Sequence, residues 1–160
     1  MNLVKKNLSF LCLAIALLSG SLTAVAADDA NAAFSKAPTA VQAAVKKALG
    51  DRKIEEFTKE QIGKSTVYEA GFKVGDVDHS FVVSENGEVL REEVDIDVTK
   101  VPEAVTSAVK KAHANGSIEE AATATAGAIQ FYVIDVKVGD DIRVMEINAN
   151  GSIRADEIEK

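Results

Sequence analysis

Two glutamate pairs and two tyrosines are the residues whose types and spacing suggest chemistry. Glu55-Glu56 recurs as Glu119-Glu120, and Tyr68 recurs as Tyr132, each 64 residues further along. Successive residues of a strand face opposite sides, so one glutamate of each pair points away from a packed core. Two acidic spots related by a repeat would suit a basic protein partner, with charge setting association rate and selectivity more than affinity. Tyr68 and Tyr132 would be contact residues on an exposed sheet. The plainer readings are a solvated strand edge for the glutamates and a core position for the tyrosines, which fall on the apolar side of their strands.

No catalytic constellation accompanies them. His79 and His113 occupy different repeat positions, opposite Arg143 and Leu49, and neither has the convergent partner that a general base or ligand needs. No serine lies in a Gly-x-Ser-x-Gly elbow, and no glycine-rich loop opens a helix as phosphate binding requires. Asp76-Val77-Asp78 and Asp140-Asp141 lack the alternating oxygens and closing glutamate of a calcium loop, and read as turns. Asn115-Gly116-Ser117 and Asn150-Gly151-Ser152 match the glycosylation sequon and also read as turns. The expectation is a non-enzyme with no cofactor and no metal site.

The elements that must position these residues follow from the repeat. From Lys36 onward, 21 of 61 ungapped pairs are identical at an offset of 64 residues. Each copy opens on a proline suited to a first helical turn, Pro38 or Pro102. Val41, Ala44, Val45 and Ala48, and again Val105, Ala108, Val109 and Ala112, then form one apolar stripe. Lysine pairs follow near the helix end, where they complement the dipole. Helices are expected over Pro38–Leu49 and Pro102–Ala114.

Four strands are expected after each helix. They begin at Ile54 and Ile118, at Tyr68 and Tyr132, at His79 and Arg143, and at Val89 and Ile153. Their alternation suits antiparallel strands with one buried face. Gly63 and Gly127 mark turns, Gly75-Asp76 and Gly139-Asp140 mark the next, and Asn86-Gly87 and Asn150-Gly151 predict two-residue hairpins. The fold class is therefore α+β: two tandem α-β-β-β-β repeats, residues 36–97 and 98–160, forming an eight-stranded antiparallel sheet with one helix per repeat packed on one face. A single copy of this size would bury too little surface to be stable alone.

Upstream, Lys5 and Lys6, the apolar run Leu8–Leu18 and the small residues at Ala24-Val25-Ala26-Ala27 form a signal peptide, 1–26, with cleavage after Ala26 or Ala27. Residues 27–35, rich in alanine and without periodicity, read as a flexible lead-in. Cys12 is the only cysteine and lies inside the apolar run, with Leu11 before it, so neither a lipid anchor nor a disulfide is expected. Removing Lys5 and Lys6 shifts the formal charge from 18 − 25 = −7 to 16 − 25 = −9. So acidic a chain is unsuited to nucleic acid or anionic lipid. No membrane insertion is expected after signal cleavage, and the chain is placed in the periplasm or outside the cell.

With the repeats aligned, the chain resembles the PepSY-like family of exported bacterial proteins, and more closely its β-lactamase-inhibitor-like group. The resemblance rests on Lys36-Ala37-Pro38 to Lys46-Lys47, Ile54-Glu55-Glu56, the Tyr68 strand, Asn86-Gly87 and Arg91 to Val94. Their counterparts are Lys100 to Lys111, Ile118 to Glu120, Tyr132, Asn150-Gly151 and Ala155 to Ile158. It implies a small secreted or periplasmic binding module, a regulator or inhibitor of an extracytoplasmic enzyme, docking an unknown protein or peptide on its sheet. The alternative is an acidic cation-binding or stress-buffering periplasmic protein.

Overall fold

The computed structural model describes residues 27–62 and 64–159. The expected signal peptide with Cys12, and the expected turn at Gly63, lie outside the described residues. The element order is α1 (Ala27–Ser35), α2 (Thr39–Leu49), β1 (Glu56–Ile62), β2 (Ser65–Val74), β3 (Val77–Ser84) and β4 (Val89–Asp95). A 3-10 turn at Val98–Lys100 leads to α3 (Glu103–Ala112), β5 (Ser117–Ala126), β6 (Ile129–Val138), β7 (Asp141–Ile147) and β8 (Ile153–Ile158). The strands form one antiparallel sheet in chain order from β1 to β8. The α-β4 unit thus occurs twice, as α2 with β1 to β4 and α3 with β5 to β8.

The copies merge through β4 and β5, paired from Glu92↔Thr125 to Asp95↔Ala122. The Ile96 amide extends the seam by donating to the Ala121 carbonyl at 2.9 Å. Asp97 then caps the 3-10 turn, accepting from the Thr99 amide at 2.8 Å. A linker so short and so bonded cannot let the halves drift apart.

Both repeat helices lie on the same side of the sheet. The stripe Val41, Val45 and Leu49 packs with Phe72, Phe81 and Val83, and Val105 and Val109 pack with Ile134, Met145 and Ile147. Pro38 and Pro102 stand at the helix N-caps, and Gly50 ends α2 at φ 62° with its amide on the Lys46 carbonyl. Gly116 has no such left-handed role. A Cβ there would lie 2.6 Å from Val136 Cγ1, so this glycine admits the close approach of β6.

Two expectations need correction. Residues 27–35, expected as a flexible lead-in, form the helix α1. Its Ala30 and Phe34 are buried, and the Phe34 ring meets Phe57 edge-on at 5.3 Å between centroids. A two-residue hairpin was expected at Asn86-Gly87 and at Asn150-Gly151. Instead the Ser84 amide donates to the Glu88 carbonyl and the Gly87 amide to the Ser84 carbonyl, leaving a three-residue loop with Gly87 at φ 86°. Asn148, Gly151 and Ser152 repeat that pattern. The reason lies in packing. Each glycine sits under the first turn of its helix, where a Cβ would fall 2.7 Å from the carbonyl oxygen of Ala40 or Ala104.

Candidate functional site

The helix-free side of the sheet holds the polar residues that the alternation leaves outside the helix-side core. Glu69 on β2, Ser80 on β3, Arg91 and Glu93 on β4 and Asp135 on β6 all point there, and all are buried. With them lie the apolar residues Val82, Ala122, Ala124, Phe131, Val133 and Val144. Burial without a covering layer requires curvature. Arg91 on β4 and Glu146 on β7 are three strands apart, about 14 Å across a flat sheet. Yet Arg91 Nη1 donates to Glu146 Oε1 at 2.8 Å. The sheet therefore curls into a trough, and Ala122 and Ala124 on β5 keep its floor low enough for the arginine to cross.

Arg91 is the hub of this trough. Its Nη2 pairs with Glu93 at 2.5 Å, while Nη1 holds Glu146. Glu146 also faces Arg154 Nε at 3.6 Å, and the Arg154 guanidinium lies 4.5 Å from the centroid of the Phe131 ring. Arg154 is the extra residue of a bulge, since Glu146 pairs with Ala155 and Ile147 with Ile153. A bulge re-aims the side chain it adds, and here it sends a cation across the trough. The chain Glu93–Arg91–Glu146–Arg154 thus runs from the first repeat to the last strand of the second.

Acid outweighs base in the trough. Burial raises the Glu69 carboxyl to about 8, and neighbouring Glu93 adds to this, while the Ser80 hydroxyl and Arg91 pull the other way. Burial raises Glu93 to about 7 against the pull of Arg91. Asp135 is raised to about 8 by burial, then by Glu159, Glu120, Glu93 and Asp95. One carboxyl oxygen of Glu69, one of Asp135 and Arg91 Nε are buried without a hydrogen-bond partner.

The residues singled out in the sequence divide between the two sides. Glu56 and Glu120 occupy equivalent places on the trough side, opposite Gly71 and Asp135 respectively. Burial raises the Glu56 carboxyl. Glu119 falls in a bulge between the Ile118 and Glu120 pairings and is exposed, and the Glu55 amide bonds the Gly71 carbonyl just before β1. Three strands lie between the two acidic positions, so they do not form one cluster. Tyr68 is 5% exposed on the helix side, stacked on Phe57 at 5.8 Å. Tyr132 also packs into the helix-side core, half-buried because Ala121 stands where the first copy has Phe57. Neither tyrosine borders the trough.

His79 packs against the Phe72 ring, and burial followed by Arg52 lowers its pKa. His113 Nε2 meets Asp156 Oδ2 at 2.8 Å, and Arg143 Nε donates to Asp156 Oδ1 at 2.7 Å, tying the end of α3 to the edge strand β8. Lys73 and Asp78 form an ion pair at 2.7 Å beside the Gly75 turn. Among the described residues no group of three or more His, Cys, Asp or Glu is arranged to hold a metal ion. Among them, too, no helix is long and apolar enough to cross a membrane.

Arg91, Glu69, Glu93, Asp135 and Glu146 were not singled out from the sequence. The one available signal was charge at alternate positions on strands that also carry Val67, Val82, Val133 and Val144, which marks a second face with its own apolar content.

No family model and no curated protein matches this chain. Solved structures do. A candidate periplasmic protein from Bacteroides eggerthii superposes with a TM-score of 0.57 at 18% identity, over 76% of this chain and 88% of that one. A DUF2874 family protein from Bacteroides uniformis gives 0.56 at 17% identity, over 76% and 89%. A BLIP-like protein from Bacteroides fragilis gives 0.52 at 17% identity, over 76% and 86%. At such identities the likeness is one of fold.

Proposed function

We propose that this protein is an exported, non-enzymatic binding module of PepSY-like type that docks a protein or peptide in the trough of its sheet. The observation that carries this reading is the curvature that the Arg91–Glu146 bond requires. One side of the sheet is closed by three helices, whereas the other is a concave strip bordered by Thr58, Glu60, Ala126, Ile129 and Arg154. Ile129 is 49% exposed at its margin, which is the kind of apolar rim that a partner covers. The shared fold with a BLIP-like protein and with a candidate periplasmic protein supports the same reading. So does the secretory pattern of residues 1–26. Glu56 and Glu120 would steer a basic partner toward the trough.

A photo-crosslinking residue placed at Ile129, on the trough side, tests it against one at Lys47, exposed on the outer face of α2. The expected result is a discrete adduct from Ile129 in the native compartment and none from Lys47. Equal labelling from both positions, or none from Ile129, overturns docking in the trough.

A further inference from the structure

Asp135 sits at the end of the trough away from Arg91. It is 6% exposed, and its Oδ1 is buried without a hydrogen-bond partner. Directly opposite on β5 stands Glu120, and on the other side β7 offers only the aliphatic Val144, beyond which lies Glu157 on β8. Glu120 itself, Asp95 and Glu93 on β4, and Glu159 after β8 each disfavour the ionised form of Asp135. Lys137, two residues along β6 on the same face, is exposed. Such a carboxyl contrasts with Glu93, whose charge is met by Arg91. Around it Asp95 and Glu159 are exposed and Glu120 and Glu157 half-buried, so the approach from solvent is lined by carboxylates. The floor beside it, Ala122, Val133 and Val144, is small and apolar.

Resting on the docking reading above, we propose that the Asp135 end of the trough is the seat for a lysine or arginine side chain of a basic partner segment. The trough already accommodates a cation of this kind, since the Arg154 guanidinium lies over Phe131 on the same face of β6. A bare metal ion fits less well, because the described carboxylates do not converge as metal ligands do. An ammonium or guanidinium needs no such convergence. It brings its own donors to the orphaned oxygen of Asp135.

The probe is a capped tri-lysine peptide, with its fully Nε-acetylated form as the neutral control and calcium chloride as the bare cation. Calorimetric titration of the protein at low salt is expected to show saturable binding of tri-lysine and none of the acetylated peptide. Near neutral pH the complex releases up to about one proton, because the incoming cation ionises Asp135, and heats in buffers of different ionisation enthalpy read this release. Asp135→Asn is expected to weaken binding about tenfold or more and to remove the proton release. Asp76→Asn, the same substitution in an exposed turn, leaves affinity within about twofold. Absent binding to the wild type, equal weakening by the two variants, or displacement of the peptide by calcium overturns the seat. Glu120→Gln, expected to weaken binding in the same direction, decides the matter if Asp135→Asn fails a thermal-melt check of folding. The Ile129 crosslink stands apart from this. An adduct that persists unchanged in Asp135→Asn removes the cation seat and leaves docking in place, whereas loss of the wild-type adduct removes docking itself.

Discussion

Glu69 and Asp135 keep protons that the unfolded chain would release. Their folded pKa values, both about 8, lie above the ordinary values of 4.5 for glutamate and 3.8 for aspartate. Between the unfolded and folded values the native state binds more protons, so stability is full below the unfolded pKa and is lost as pH rises through the folded one. Thermal melts are therefore expected to show the protein more stable near pH 5 than near pH 8. One such group contributes a slope of at most about 1.4 kcal/mol per pH unit. Glu69→Gln is expected to flatten this slope, and an unchanged profile would show that Glu69 is ionised in the fold. Arg91 acts in the opposite sense. Arg91→Ala strands Glu93 and Glu146 and is expected to cost about 3–5 kcal/mol in urea denaturation. Replacing Arg91, Glu93 and Glu146 together by methionine is expected to recover much of that loss, since the one charge left without its partner, Arg154, is partly exposed.

At the scale of elements, the two hairpin glycines and α1 carry the sharpest expectations. Gly87→Ala combines a left-handed backbone with a Cβ 2.7 Å from the Ala40 carbonyl, so α2 must shift. A loss of about 2–4 kcal/mol is expected, against about 1 kcal/mol for Gly75→Ala, which has the same backbone sign but open space. Phe34→Ala is expected to cost about 3 kcal/mol and to unseat α1. Its readout is tyrosine fluorescence, because the chain has no tryptophan and Tyr68 lies stacked against the Phe57 that Phe34 covers.

These same elements mark what was legible beforehand. Alternation and helical stripes are local, so the eight strands and the two repeat helices could be read from Val41, Tyr68 and their counterparts. The hairpin loops were misjudged because their length is set by the helix above them, not by Asn-Gly alone. The helix α1 was missed because its alanines carry no stripe and its burial depends on Phe57, more than twenty residues on. The trough was missed for a related reason. Polar residues at alternate strand positions read as solvated, and only the approach of β4 to β7 turns that face inward.

For the whole molecule, duplication has produced halves that share a fold but not a role. The first copy has aromatic packing under α1 and α2, and supplies Arg91. The second has smaller side chains at Ala121 and supplies Glu146, Arg154 and Asp135. A fragment of residues 27–97 leaves β4 without β5 and Arg91 without Glu146, and it is expected to show little ordered structure by circular dichroism. The Arg91–Glu146 bond also works as a drawstring between those halves. Loosening it with Glu146→Gln is expected to widen the gap between the outermost strands. That change is measurable as a longer spin-label distance from β1 to β8, and it would make ligand choice depend on a tie that no ligand touches.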